Sequence, residues 1–212
     1  MTRLILIRHG ESIGNQKSIY LGHLDWDLTE KGRAQAEATA ELLKNEKIDV
    51  VYSSDLIRAY NTAKPIADAR GLEVLTSEKL REVHAGLWQG MYYKDIKERF
   101  PESWEIWKND RLNGRCDGGE SEKEVFARVK SEIDRIVEEN RGKTILVATH
   151  SNPIIVMLSH YNGLKTGKMT FHTISNASIS IIDYDENGVG AIVCEDASEH
   201  LAAKATKAHS ID

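Results

Sequence analysis

Five residues of this chain could do chemistry together, and four of them sit where a predicted strand ends or a helix begins. Arg8 and His9 follow the β-branched-rich run Arg3 to Ile7, His150 follows the apolar run Thr144 to Ala148, and Arg58 lies at the start of the helix after Asp49 to Tyr52. Two guanidiniums, two imidazoles and a helix start with unpaired N–H groups make a receptor for a compact dianion, and phosphate fits best. A neutral imidazole near pH 7 is a competent nucleophile, so His9 is the candidate for attack on phosphorus. Gly10 lets the backbone turn tightly beside it. The leaving alkoxide needs a proton, and Glu82, in Leu80-Arg81-Glu82, is the candidate general acid and base.

Missing motifs narrow the chemistry further. There is no G-x-x-x-x-G-K-[ST] loop and no G-x-G-x-x-G after a strand, which argues against nucleotide binding of those types. No H-E-x-x-H or clustered carboxylate set suggests a metal, so neither metal nor cofactor is expected. Charge on a transferring phosphoryl group then falls to side chains.

The elements that position these groups alternate between strand and helix. Thr29 is expected to cap a helix through about Lys44, and Ser53-Ser54-Asp55 one through about Arg70, ended by Gly71. A third strand is expected over Leu72 to Leu75, and Ser121 opens a capping box for a helix to about Asn140. A further helix is expected from about Pro153. Two antiparallel-looking strands, near Ser178–Tyr184 and Val189–Cys194, flank an Asp185-Glu186-Asn187-Gly188 turn, and Asn15 to Asp27 reads as loop. The pattern predicts an α/β three-layer sandwich with a mostly parallel central sheet, whose ligands bind beyond the carboxyl ends of the strands. Residues 84–120 hold three of the four Trp and read as a helical flap. Residues 195–212 show no periodicity and are expected to form a mobile tail.

At 212 residues the chain suits a single domain, and its 28 Lys and Arg against 33 Asp and Glu give a net charge of −5. That sign argues against a nucleic-acid partner. No apolar run approaches the about 20 residues of a membrane span, and two distant cysteines suit a reduced, cytoplasmic protein. The expected partner is a small phosphomonoester; monomer and homodimer stay open.

The ordered motifs resemble those of the histidine phosphatase (phosphoglycerate mutase-like) superfamily. Arg8-His9-Gly10-Glu11-Ser12 with Asn15 is similar to its R-H-G-[ET]-[ST]-x-x-N signature. Further similar blocks follow in order: Gly22-x-x-Asp25-x-x-Leu28-Thr29, Ser53-Ser54-Asp55-Leu56-x-Arg58-Ala59, Leu80-Arg81-Glu82 with Gly86-x-Trp88-x-Gly90, Gly118-Gly119-Glu120-Ser121, and Thr149-His150. The resemblance implies a phosphohistidine on His9, phosphate held by Arg8, Asn15, Arg58 and His150, and proton transfer by Glu82. Where the family usually has Gly after the second histidine, this chain has Ser151, whose N–H can still face the phosphate.

Water and a second substrate hydroxyl are the alternative acceptors, giving a phosphatase or a phosphoglycerate mutase. Mutases of the family resemble R-H-G-E-S-x-W-N-x-x-x-R-F-x-G-W and E-R-x-Y-G; here Gly14, Ile19, His23, Val83 and Ala85 replace their distinctive residues. Two arginines that would grip a phosphoglycerate carboxylate are therefore absent, and the phosphatase is favoured. Gly22, His84, Trp88 and Tyr92 are candidates for the substrate pocket. Trp104 and Trp107, at i, i+3, read as flap core, Glu11 as a brace of the first loop, and Arg81 as a surface charge. His23, His160, His172, His200 and His209 read as surface or satisfied core residues.

Overall fold

The computed structural model describes residues 1–162 and 174–201. The chain runs through β1 (Thr2–Arg8), α1 (Ile13–Lys17), α2 (Glu30–Leu42), β2 (Val50–Ser54), α3 (Ile57–Asp68) and β3 (Val74–Ser77). After short 3₁₀ turns at Glu78–Leu80 and Gly86–Trp88 come α4 (Tyr93–Arg99), α5 (Pro101–Asn109), α6 (Glu122–Glu139), β4 (Thr144–Thr149), α7 (Ser151–Tyr161), β5 (Ile179–Tyr184) and β6 (Gly190–Ala197).

Six strands form one sheet in the order β3-β2-β4-β1-β5-β6. Pairings β1/β4, β2/β4 and β2/β3 are parallel, while β1/β5 and β5/β6 are antiparallel. Both faces are covered, which explains the nearly continuous apolar runs of the central strands. Side-chain alternation sends Leu4, Leu6, Ile145 and Val147 to the face packed by Val125, Val129 and Ile133 of α6 and Met157 of α7. Ile5, Ile7, Leu146 and Ala148 face Ala63, Ile66 and Ala67 of α3. The expected three-layer architecture is present, with the sheet mixed: its parallel part ends at the rim that carries His9 and His150, and β5 and β6 extend one edge.

Several helix starts differ from expectation. The Ser53-Ser54-Asp55 group does not cap α3; Leu56 is the N-cap and makes no side-chain cap bond, while Ser54 Oγ accepts the Leu56 N–H at 3.3 Å. Helix α7 begins at Ser151, directly after the strand, because His150 takes the extended N-cap conformation and Pro153 is tolerated within the first turn. The loop expected from Asn15 contains the end of α1, a helix opened by a reciprocal Ser12/Asn15 capping box and ended at Ser18. Thr29 and Ser121 cap α2 and α6 as expected. Strand β6 extends through Ala197, so residues 195–197 of the expected tail lie in the sheet; residues 202–212, with His209, and His172 fall outside the described residues.

Between β3 and α6 the aromatic segment builds a second small core. Trp88 is fully buried with Ala85, Ile96 and Cys116, and Trp104 and Trp107 pack on it at ring-centroid distances of 5.9 and 5.7 Å.

Candidate active site

His9 lies at the carboxyl end of β1, its N–H bonded to the Thr149 carbonyl of β4 at 2.9 Å. The Gly10 N–H donates to Thr62 Oγ1, and a Cβ at Gly10 would stand 2.4 Å from the Gly32 carbonyl oxygen, so only glycine fits this turn. His9 Nδ1 is 2.7 Å from the Gly10 carbonyl oxygen. A carbonyl only accepts, so Nδ1 carries the hydrogen and Nε2 keeps its lone pair. Burial, then the nearby Arg58 and Arg8 guanidiniums, pushes the His9 pKa well below the usual imidazole range. At neutral pH His9 is therefore an uncharged imidazole with a fixed tautomer.

Arg58, in the first turn of α3, is 1% exposed and donates through Nη1 and Nη2 to the carbonyls of Leu24 and Gly22, each at 2.8 Å. Arg8 donates through Nη1 to the Ile174 carbonyl, and its buried Nε has no partner among the described residues. Burial lowers both guanidiniums, Arg58 to about 10, and Glu82 opposes this in each case. Both remain charged at pH 7, and the protein acceptors that hold them are neutral carbonyls. Two buried positive charges beside a cavity favour a dianion.

Asn15 is oriented by its neighbours. Its Oδ1 accepts from the Ser12 N–H at 3.0 Å, Ser12 Oγ at 2.9 Å and Asn176 Nδ2 at 3.2 Å. With the oxygen saturated by donors, Nδ2 is the end of the amide that can donate into the cavity. Asn176 also donates to the His9 carbonyl at 3.0 Å, tying His9 and the Asn15 amide to one residue.

His150 stands edge-on to His9, with ring centroids 5.1 Å apart, and is fully buried. Its Nε2 lies 2.9 Å from Ser54 Oγ, and its buried Nδ1 has no partner among the described residues. Ser54 Oγ accepts the Leu56 N–H, so its own proton is available to Nε2, which makes Nδ1–H a donor. Burial and Arg58 press the His150 pKa well down. Glu82 Oε1 accepts from the Val83 N–H at 2.9 Å and from the Asn152 N–H, in the first turn of α7, at 3.2 Å.

These groups surround a cavity of 330 Å³, within the size range of small-molecule sites. Arg8, His9, Asn15, Gly22, Arg58, Glu82 and Ser151 line it; His150, predicted to hold the phosphate, is not among the lining residues and reaches the site through its edge-on contact with His9. The other pocket candidates lie elsewhere. His84 packs edge-on against His23, with ring centroids 4.9 Å apart, and its Nδ1 accepts the Gly86 N–H. Trp88 is sealed in the flap core. Tyr92 is half exposed at the start of α4, and its neighbour Tyr93 lines the cavity instead.

Tyr20, Tyr93 and Arg111 also line the wall and were not singled out by sequence. Trp107, expected only as flap core, packs on Trp88 and lines the cavity too. Arg111 and Asn176 belong to no motif; a lone arginine after an aromatic pair was the sole signal for the first. Glu11 does brace its loop, accepting from Thr29 Oγ1 and Lys31 Nζ. Arg81 is ion-paired with Asp55. Among the described residues no group of three or more His, Cys, Asp or Glu is arranged to hold a metal, and no helix is long and apolar enough to cross a membrane.

Comparison with known proteins agrees with this geometry. The chain is 37% identical over 186 residues to phosphoserine phosphatase 1 of Hydrogenobacter thermophilus, covering 88% of each chain. It is 37% identical to phosphoglycerate mutase-like protein 4 of Arabidopsis thaliana, covering 84% of this chain and 77% of that one. The structure of mycobacterial glucosyl-3-phosphoglycerate phosphatase in complex with VO3 superposes with a TM-score of 0.85 at 29% identity, over 92% of this chain and 99% of that one. The family model for the histidine phosphatase superfamily, branch 1, matches residues 4–196, and the chain belongs to that family.

Proposed function

We propose that this protein is a phosphatase that hydrolyses small phosphomonoesters through a phosphohistidine on His9, without a metal. The observation that carries the reading is the fixed tautomer of His9, whose Nδ1–H is committed to the Gly10 carbonyl beside two buried arginines. The phosphoryl oxygens are held by Arg8, Arg58, Asn15, His150 Nδ1–H and the N–H groups at the start of α7, with Ser151 in the wall. His9 Nε2 attacks phosphorus, the P–O bond to the alcohol breaks, and Glu82 gives its proton to the departing oxygen. The Glu82 carboxylate then takes a proton from water as that water attacks the phosphohistidine, releasing inorganic phosphate and restoring both residues.

Water is the favoured acceptor over a second substrate hydroxyl. At the two positions where the mutase pattern carries arginine, this chain has Ile19, which lines the cavity, and Val83, which is buried. The relatives include a phosphoserine phosphatase, a glucosyl-3-phosphoglycerate phosphatase and a mutase-like protein, so phosphoserine and the phosphoglycerates belong in the first assays.

The test is hydrolysis of p-nitrophenyl phosphate with EDTA present. Wild type is expected to turn over, and His9→Ala to lose about 10⁴-fold or more, as enzymes do without their nucleophile. Undiminished turnover by His9→Ala removes the reading. Faster interconversion of 3- and 2-phosphoglycerate than phosphate release replaces it with the mutase.

A further inference from the structure

Glu82 sits on a stretch of chain that belongs to neither sheet nor helix. Residues 81–85 run between the 3₁₀ turns that end at Leu80 and begin at Gly86. The Glu82 carboxylate is held by backbone N–H groups, but the backbone that carries it is held by side chains from other elements. Arg128, in the second turn of α6, supplies most of these bonds. Its Nη1 donates to the carbonyls of Lys79 at 2.9 Å and Arg81 at 2.7 Å, and its Nη2 to the carbonyl of Glu82 at 2.8 Å. Thr149 Oγ1 donates to the Leu80 carbonyl at 2.6 Å, and His23 Nε2 lies 2.7 Å from the Glu82 carbonyl as a second donor. Every carbonyl from residue 79 to residue 82 thus accepts from a side chain.

The other edge of the guanidinium fixes the arginine itself. Its Nε and Nη2 donate to the two oxygens of Glu120, at 2.8 and 2.9 Å, a bidentate pair. Glu120 Oε2 also accepts the His84 N–H, and the Glu120 N–H donates to the His84 carbonyl, each at 2.8 Å. A Cβ at Gly119 would stand 2.5 Å from that carbonyl oxygen, so the close approach needs glycine. The Gly118-Gly119-Glu120-Ser121 block therefore joins the Glu82 segment to Arg128 and does not line the cavity.

An arginine that ties a helix to a loop can serve the fold alone. Arg128 differs because the backbone it grips is that of Glu82 itself. Proton transfer needs the carboxyl within hydrogen-bond reach of the leaving oxygen, and a misplacement of about 1 Å can cost about 10²-fold. A strand or helix supplies such accuracy through its own ladder of bonds; residues 81–85 have none.

We propose that Arg128, locked by Glu120, is the positioning residue of the general acid Glu82. The proposal rests on the phosphatase reading above and adds the group that aims its proton donor. Arg128 does not line the cavity and acts through the Glu82 backbone.

A leaving-group series tests it, with p-nitrophenyl, phenyl and alkyl phosphates compared by kcat/KM. p-Nitrophenolate leaves without a proton and an alkoxide does not, so a misplaced acid steepens the fall of kcat/KM with leaving-group pKa. Arg128→Lys keeps the charge opposite Glu120 but loses the fork. It is expected to cost about ten- to hundredfold on alkyl phosphates and less than about threefold on p-nitrophenyl phosphate. In a Glu82→Gln background the same substitution should cost nothing further. Glu120→Gln, which loosens the arginine without removing it, should steepen the series in the same direction. Val129→Ala, beside Arg128 in α6 and buried in the core, is the stability control: it should lower Tm and leave the series as in wild type.

An equal fall for all esters in Arg128→Lys and Glu120→Gln overturns the proposal, as does an undiminished loss in the Glu82→Gln background. A series steepened as much by Val129→Ala assigns the effect to stability and also overturns it. Should wild type hydrolyse none of these esters, the phosphatase reading fails by itself. Amide hydrogen exchange then decides the clasp: faster exchange at Val83 and His84 in Arg128→Lys than in Val129→Ala supports it, and equal exchange overturns it.

Discussion

The cavity has two unlike walls. The rim wall, made by the ends of β1 and β4 and the starts of α3 and α7, holds three of its groups by backbone contacts: His9 to Gly10, Arg58 to Leu24 and Gly22, Glu82 to Val83 and Asn152. The flap wall holds its groups by side chains on side chains, Arg111 on Trp107 and Glu122, and Trp107 on Trp88. Backbone anchoring sets position independently of most substitutions, so the rim suits a reaction that must not vary. Side-chain anchoring changes with single substitutions, so the flap suits the choice of ester.

That contrast can be broken at several points. After His9, the largest expected effect is at Glu82. Glu82→Gln should cost about 10²–10⁴-fold in kcat on alkyl phosphates, which need a protonated leaving group. It should cost much less on p-nitrophenyl phosphate, whose leaving group departs as a stable anion. Equal losses on both esters would remove the general acid from Glu82. Next is Arg58→Met, expected to lower kcat/KM by about 10²–10³-fold on every ester, as for loss of a charge-stabilising donor. A loss confined to one ester would place Arg58 in selection and erase the distinction between the walls.

Acid stability reports on the rim from another side. His9 and His150 both have folded pKa values below the unfolded value of about 6.5, so the unfolded chain binds more protons as pH falls below that value. Their contribution is therefore fully present above about pH 6.5 and is lost as pH falls below it, at up to about 1.4 kcal/mol per pH unit for each histidine. His9→Asn should flatten the fall in Tm between about pH 6.5 and 5 relative to wild type, while phosphate at saturating concentration should raise Tm. An unchanged slope would mean that His9 titrates normally. The smallest effect is expected at Asn176. Asn176→Ala removes one of three donors to Asn15 and should lower kcat/KM about five- to tenfold. That loss should vanish in an Asn15→Ala background, and full additivity would show that Asn176 does not act through Asn15.

The two walls also differ in how far sequence reasoning reaches them. Strands β1 and β4 announce themselves as apolar runs because both faces are covered, and the groups that follow them fall on the rim by topology alone. Arg8, His9, Arg58 and Ser151 could be placed in that way. Helix starts were harder: α1 has five residues held by the Ser12/Asn15 box without periodicity, and α7 starts at Ser151 because His150 needs no connecting loop. On the flap, burial is decided by tertiary contacts that no local pattern encodes. Tyr92 and Tyr93 are adjacent and chemically alike, yet only the second faces the cavity. Trp88, two residues from Gly86 and Gly90 of its motif, is buried by Trp104 and Trp107, which lie sixteen and nineteen positions later in the sequence.

The central claim is a covalent phosphoryl group on His9, and rapid quench reads it directly. Wild type mixed with a radiolabelled phosphomonoester and quenched in alkali, where phosphohistidine survives, should carry label on the peptide containing His9 and on no other. The label should accumulate in Glu82→Gln, where water attack is slowed, and be absent from His9→Ala. Steady hydrolysis by wild type with no label on His9 at any quench time, or label on a different residue, would contradict the account.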